Sequence, residues 1–570
     1  MSSPARPSGS GPRVARGGAA SDRRPQGSRA RPWAAVLAVL AVVGAVPSLV
    51  VPEAAHAGQT GDAAALDQAL AAFWAAESDA EYRDAIDAVL AAGPDIDAIW
   101  SRLRRGRTYR ADVPTGRQIL SRRNRDGVEH RYLLHVPPGY DPAERYPVHV
   151  HLHGGVMRPR RDDGGWWRNE ERVVRDDAIV VIPESWAESL WWHDSQIENL
   201  LGTLNDVKRI YNVDENQVHL LGISDGGTGA YYHAFKATTP WASFLPFIAH
   251  PVVLANPASN ADGDMHVTNL RNKPLFVVNG GQDRLYPTSS VVPYLRLFRE
   301  AGVFLDFRPQ PEAGHDLSWW EEEVDAIEAF MNNARRQPAP SRLSWETESV
   351  DDYNRAHWLV IDELGTVDGE PGLGSFNSIA DPASGKPLGI SMLGELVDGS
   401  GLRVFEIGED SIASDSGMRA NDTIVEIEGR EAPSVEDLKN ALIGFAPGDR
   451  LSLVVDRDGV QEELALVYPQ GAAPRTRTAF PKRQPSGRVE ISQQRNRVEA
   501  YTRGVSRFTL LLSPEQFDFT QPITVETNGV TVFEGMVEPD IPTLLRWAAI
   551  DQDRTMLFGA ALEIEVPPAP

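Results

Sequence analysis

The sequence contains no cysteine, so neither a disulfide nor a thiolate metal site can form within it. Basic residues are scarce: 56 Lys and Arg face 80 Asp and Glu, for a formal net charge of −24. That balance argues against nucleic acid and anionic membrane surfaces as partners. A convincing metal-ligand set is also lacking. His149, His151 and His153 alternate along one strand face, but no further ligands at suitable spacing accompany them. Neither a metal nor a cofactor is therefore expected. Long apolar runs are missing, with one exception near the start. Residues 33–51 are uncharged and rich in Ala, Val and Leu, and Ala55-His56-Ala57 follows as a small-x-small cleavage pattern. The pattern predicts a secretory signal over 1–57. Cleavage before Gly58 is expected over an uncleaved N-terminal anchor, because the apolar run sits at the lower limit for spanning a bilayer. The chain is then secreted or periplasmic, without stable membrane insertion. The leader holds seven Arg and two acids, so its removal takes the formal charge to about −29. Arg23-Arg24 hints at a twin-arginine signal, but Pro25 follows and the hydrophobic residues of that signal are absent.

What is present is organised around Val218 to Gly227. A short apolar strand there runs into Gly222-Ile223-Ser224-Asp225-Gly226 and then into a helix-compatible stretch ending near Lys236. In that context Gly-x-Ser-x-Gly marks a strained strand-to-helix turn that presents a serine hydroxyl, with glycines where a Cβ would clash. Ser224 is the candidate nucleophile; the bland alternative is an ordinary Gly/Ser turn. Its partners follow in order at the ends of further apolar strands. Pro274 to Val278 empties into Asn279-Gly280-Gly281-Gln282-Asp283, and Val303 to Phe307 leads to Glu312-Ala313-Gly314-His315. A serine nucleophile needs a base and a group that orients the base, which makes His315 the base and Asp283 the orienter. Asp316 is a rival orienter, badly placed beside its own neighbour; His193 and His219 are lesser base candidates. Upstream, the strand Val148 to Leu152 ends in His153-Gly154-Gly155-Val156, which resembles the oxyanion loop of lipases and esterases; the resemblance implies as donors the amide of Asp225 and one from Gly155 or Val156.

The span 113–336, from Arg131 to Tyr140 through the His153-Gly154-Gly155 loop to His315, resembles an α/β-hydrolase of the esterase type. It is similar to polyhydroxybutyrate depolymerase, feruloyl esterase and prolyl-oligopeptidase-like catalytic domains, and Tyr211-Asn212-Val213-Asp214 matches the approach to the nucleophile in that group. The resemblance implies a doubly wound, mostly parallel sheet and metal-free ester or amide hydrolysis through an acyl-enzyme. A third glycine after Gly155 is absent, and Asp225 sets a carboxylate beside the nucleophile. Aromatics concentrate on the loops expected to surround the serine: Trp166, Trp167, Trp186, Trp191, Trp192, Trp319 and Trp320. Of these, Trp166, Trp167, Trp191, Trp192 and Trp319 are candidate pocket walls for an aromatic, acyl or sugar-bearing ester, with core packing as the equal alternative. Arg158, Arg160 and Arg161 read as a solvated loop or as a reader of carboxylate or phosphate.

From 385 to 469 the chain resembles a bacterial-type PDZ domain, an α+β module. Leu388-Gly389-Ile390 matches its carboxylate-binding turn, Ser416 to Ile424 its Gly-hydrophobic-x-x-(Gly/Asn)-Asp signature, and Ser434 to Leu442 its groove helix. Strand addition of a peptide C-terminus is implied, with Leu388, Ile390, Leu438 and Leu442 lining a pocket and backbone amides near Gly389 holding the carboxylate. The domain order expected is a helical segment over 58–112, read as a packing appendage or a lid; the hydrolase over 113–336; a β-rich segment over 337–384; the PDZ module; a linker over 470–487; and β-rich 488–570. The two β-rich parts are expected to join as one sandwich with the PDZ module inserted. Three functions fit this reading. The first is a carboxylic ester hydrolase acting on a small-molecule or polymeric ester. The second is a serine peptidase of the prolyl-oligopeptidase type, and the third an inert PDZ-bearing scaffold.

Overall fold

The computed structural model describes residues 59–161, 170–366, 374–380, 388–396, 400–442, 445, 448–470 and 476–567. The expected signal, Trp166 and Trp167 lie outside the described residues. Among those described, no helix is long and apolar enough to cross a membrane.

Eight strands build the central sheet: β1 (Gly116–Arg123), β2 (Glu129–Val136), β3 (Tyr146–Leu152), β4 (Ile179–Pro183), β5 (Val213–Ile223), β6 (Ser243–Phe247), β7 (Leu275–Gly280) and β8 (Leu305–Gln310). Their order is β1-β2-β4-β3-β5-β6-β7-β8. β1, β2 and β4 are joined by antiparallel pairings, while β3 pairs in parallel with β4 and every pairing from β3 to β8 is parallel. This crossed order is that of the α/β-hydrolase fold. β4, β6 and β7 are buried along their whole lengths, as parallel strands covered on both faces must be. Alternation then divides neighbouring residues between two cores. Leu220 and Val277 join the cluster that buries Leu200, Tyr231 and Tyr294, from the helices Asp194–Ile210, Asp225–Lys236 and Thr288–Glu300. Leu221 and Val278 point the other way, against Trp320, Ile327 and Met331 of the helix Trp320–Asn333. The sheet is thus fixed from both sides, and its strand ends are rigid mounts for loops.

The N-terminal segment forms three helices, Gln59–Ala75, Asp79–Ala91 and Ile96–Arg105. Ser78 and Glu81 cap the second reciprocally, and Asp95 caps the third. Their apolar faces meet a fourth helix, Ile541–Asp551: Phe73, Val89, Ile99 and Leu103 share one core with Leu544, Leu545 and Ala548. The segment is a packed part of the fold and not a lid. The fourth helix went unread, although Asp540 caps it, Pro542 stands in its first turn, and its apolar residues recur at 541, 544, 545 and 548.

Strands from both sides of the PDZ segment pair with one another. Arg342–Thr347 lies beside Gly487–Gln494 in a five-stranded sheet, and Leu359–Leu364 beside Val505–Leu512 in a four-stranded one. The two sheets share a core that includes Trp345, Trp358, Phe508 and Leu510. Ser378–Ala380 and Thr476–Thr478 form an antiparallel ribbon flanking the PDZ segment, so the module's ends lie close together. The module carries the strands Ile390–Glu395, Leu402–Ile407, Thr423–Ile427, Arg450–Arg457 and Val460–Val467, with the helix Val435–Ala441.

Candidate active site

β5 ends at Ile223, and the helix Asp225–Lys236 begins two residues later, so the chain must reverse direction at Ser224. Ser224 adopts φ 56° and ψ −118°, a region that costs a residue with a side chain on the order of 1–3 kcal/mol. The neighbouring glycines make the turn possible. A Cβ on Gly222 would sit 2.0 Å from the Gly226 carbonyl oxygen, and one on Gly226 would sit 2.0 Å from that of Leu152. The result is a hydroxyl thrust out above the sheet.

β7 delivers Asp283 and β8 delivers His315 to the same place. His315 Nε2 lies 2.8 Å from Ser224 Oγ, and His315 Nδ1 lies 2.8 Å from Asp283 Oδ2. Asp283 is fully buried, and its other oxygen, Oδ1, accepts the amides of Leu285 at 2.8 Å and Tyr286 at 2.9 Å. Burial raises the Asp283 carboxyl, but the hydrogen bonds from His315, Tyr286 and Leu285 outweigh it and hold the group below its ordinary value. An ionised Asp283 fixes the proton on His315 Nδ1 and leaves Nε2 free to accept from Ser224. The Tyr286 ring meets the imidazole edge-on at 5.6 Å, and burial pushes the Tyr286 phenol up to about 12. The rival orienter, Asp316, instead accepts the Ser318 amide at 2.8 Å.

The loop after β3 closes the site from the opposite side. A Cβ on Gly154 would lie 3.0 Å from Ser224 Cβ, and Gly155 has φ 71°. His153 supports the loop from behind. Its Nε2 accepts the Ser185 amide at 3.1 Å, so Nδ1 carries the proton and donates to the Gly154 carbonyl at 2.9 Å. Val156 corrects the sequence reading. Its amide donates to Asp225 Oδ2 at 2.9 Å and is therefore engaged rather than free for an oxyanion. Among the described residues neither the Gly155 nor the Asp225 amide has an acceptor, and these remain as the two donors beside Ser224. The carboxylate beside the nucleophile is a strap on the loop.

The aromatic wall is a second correction. Trp191, Trp192 and Trp319 are 0%, 1% and 2% exposed, so they offer a substrate no surface. Trp191 donates its indole N–H to the His153 carbonyl, Trp192 to that of Ser259, and Trp319 to that of Asp316 while packing on Phe247. They hold the loops rather than line a pocket. Among the described residues, Met157, following Val156, and Leu285, two residues past Asp283, are exposed apolar side chains next in sequence to the site. Neither was singled out from sequence, where a lone exposed Met or Leu carries no pattern.

Arg160 is drawn to Glu184 at 2.9 Å and lies over Trp186. His193 Nδ1 accepts the Leu190 amide, and His219 Nδ1 lies 2.8 Å from Ser243 Oγ, so both are engaged away from the serine. Burial lowers His149 to about 4 and His151 further, which keeps both neutral at pH 7. Among the described residues no group of three or more His, Asp or Glu is arranged to hold a metal ion.

In the PDZ module, Gly389 has φ 82°, and a Cβ there would fall 2.0 Å from Ser411 Oγ. Leu388 and Ile390 are half-buried on the module's core, as is Leu442, and Leu438 is buried within it.

A PDZ domain family model matches residues 386–467. No curated protein matches the chain. Among solved structures, a thermostable esterase is 19% identical over 39% of this chain and 63% of its own, with a TM-score of 0.31. The acylaminoacyl peptidase of Pyrococcus horikoshii is 13% identical over 40% and 43%, with a TM-score of 0.33. A ferulic acid esterase is 18% identical over 38% and 98%, with a TM-score of 0.31. The chain thus spans less than two thirds of the first two.

Proposed function

We propose that the protein is a secreted serine hydrolase that cleaves carboxylic esters through an acyl-enzyme. The observation that carries this reading is the line Ser224 Oγ, His315 and Asp283, with two 2.8 Å contacts, at a strained turn flanked by two amides without an acceptor among the described residues. Ser224 Oγ attacks the ester carbonyl while His315 Nε2 takes its proton, and the Gly155 and Asp225 amides bind the oxyanion. His315 returns the proton to the leaving alcohol. Water, deprotonated by the same nitrogen, then attacks the acyl-enzyme and frees the acid and Ser224. Met157 and Leu285 give the rim an apolar character that suits an acyl or aryl group. Residues 113–336 form the catalytic domain in this reading. Residues 337–384 and 488–570 form one β domain, and 385–469 is an inserted module for peptide or protein C-termini.

A serine peptidase is the second reading, favoured by the PDZ match, since such a module can present peptide ends to the site. The decisive experiment follows p-nitrophenol release from a short-chain ester by the chain lacking 1–57, beside Ser224→Ala. A burst of about one equivalent, lost in the variant, is expected, together with slow turnover of the matching p-nitroanilide. Faster anilide than ester turnover would reverse the order of the two readings. No burst and no covalent labelling of Ser224 in a folded protein would overturn both.

A further inference from the structure

The groove helix of the PDZ module, Val435–Ala441, has two working faces. Ser434, Asp437 and Asn440, three residues apart, lie along one side and touch the loop after β7. Asn440 Nδ2 donates to the Gly281 carbonyl and Gln282 Nε2 to Asp437 Oδ1, each at 3.3 Å; Ser434 Oγ, which donates to Asp437 Oδ2 at 2.6 Å, lies 3.3 Å from Gln282 Oε1. The next residue is Asp283. A second tie runs from Arg430 to Glu312 at 2.9 Å, three residues before His315, and Arg430 also pairs with Asp437 at 3.2 Å. The two loops are themselves laced together. Gln282 N donates to the Ala313 carbonyl at 3.0 Å, and a Cβ on Gly281 would fall 2.5 Å from the Pro311 carbonyl oxygen. The other side of the helix carries Leu438, in the PDZ core beside Leu388 and Ile390 at the start of the strand to which a peptide would add.

We propose that a peptide C-terminus seated in the PDZ groove raises the reactivity of Ser224 by pressing this helix onto the Gly281-Gln282-Asp283 turn. The proposal rests on the serine-hydrolase reading of the site. A peptide strand adds along Ile390–Glu395 beside the helix's Leu438 side, while Asp437 and Asn440 meet Gln282 and Gly281. It thickens that layer and drives Asp437 and Asn440 toward Gln282. Contacts of 3.3 Å are long for hydrogen bonds, so the turn has room to tighten. The partner is a peptide with a free α-carboxylate and an apolar last residue, because Leu388 and Ile390, which flank Gly389, and Leu442 of the groove helix's end are half-buried on one apolar cluster. No moving chain of residues between distant sites is required. One helix touches the groove on one side and the Asp283 loop on the other.

The test uses fluorescein-labelled decapeptides ending in Ala, Val, Leu or Phe, each as the free acid and as the C-terminal amide. Binding is read by anisotropy, and Ser224 reactivity by the rate of labelling with a fluorophosphonate, in which Ser224 Oγ displaces fluoride. Free acids that bind are expected to speed labelling about 5-fold or more, within the usual span of coupling between sites, while amides do neither. The variant Gln282→Ala with Asn440→Ala is expected to bind peptide and to lose the acceleration. Binding without a change of rate overturns the proposal, and so does failure of every free acid to bind. Should Ser224 resist labelling with and without peptide, the serine-hydrolase reading fails by itself. Hydrogen exchange over 281–286 then decides the coupling: slower exchange with bound peptide supports it, and unchanged exchange overturns it.

Discussion

The eight-stranded sheet and its helices meet the β-strands on either side of the PDZ segment, and the PDZ module itself, across seams of opposite character. At the first, Lys236, the last residue of the helix that follows Ser224, lies 2.6 Å from Glu348, and the two side chains are 1% and 3% exposed. Glu348 also takes His266 Nε2 at 2.6 Å and the Asp264 amide at 2.7 Å. Arg336 and Asp553 repeat the pattern at 2.6 Å, each 1% exposed. At the second seam, Arg430 and Glu312 are 42% and 79% exposed, and among the described residues three further contacts, part-buried around Asp437, are 3.3 Å long. Charges withdrawn from water tolerate no loosening, because separating them leaves each unpaired in a poor solvent. Exposed polar contacts exchange with water at little cost. The first seam therefore fixes the scaffold that holds the serine, and the second can shift without unfolding it.

The sharpest way to break this contrast is Glu348→Gln, which strands the buried Lys236 ammonium. A loss of about 3–5 kcal/mol in urea unfolding is expected, whereas an unchanged midpoint would deny the seam its role. Its pH dependence has a definite sign. Burial raises the Glu348 carboxyl, but His266 and Lys236 outweigh it and hold the group far below the ordinary carboxylate range. The stabilisation is therefore full above the unfolded-state value and is lost as pH falls through the folded one. The gap between wild type and Glu348→Gln should narrow on acidification and stay constant from pH 6 to 8.

Asp225→Ala comes next. It frees the Val156 amide and loosens the oxyanion loop, and kcat should fall up to about 100-fold with thermal stability nearly intact. A rise in kcat would mean that the carboxylate obstructs rather than positions. Smallest of all is Arg430→Ala. Its exposed pair with Glu312 should be worth about 0–1 kcal/mol in unfolding. A cost comparable with that of Glu348→Gln would erase the distinction between the seams.

The strand-to-helix turn at Ser224 and the strands leading to Asp283 and His315 were legible because each signal is local. A run of apolar residues, a glycine where no Cβ fits, and a polar residue just past a strand end can all be read along the chain. β8 begins two residues later than its apolar run suggested, since run and pairing need not start together. The helix Ile541–Asp551 carried its cap and spacing in plain view, yet the strand-like runs around it drew the region toward β structure. The tryptophans left pocket wall and core equally open for another reason. A large aromatic on a site loop has the same letter whether it faces substrate or core, and only packing decides.

By itself the sequence determined the elements and their chemistry: which residues could be nucleophile, base and orienter, which glycines the turns require, and that a second module lay downstream. Short-range sterics and apolar periodicity act within a few residues and so are written in neighbouring letters. The tertiary structure alone decided that Asp225 engages Val156, that Lys236 finds Glu348, and that a PDZ helix rests against the turn beside Asp283. Those contacts join residues 69, 112 and more than 150 positions apart. No local preference encodes them. They follow from the strand order of the sheet and from where the inserted module comes to rest on it.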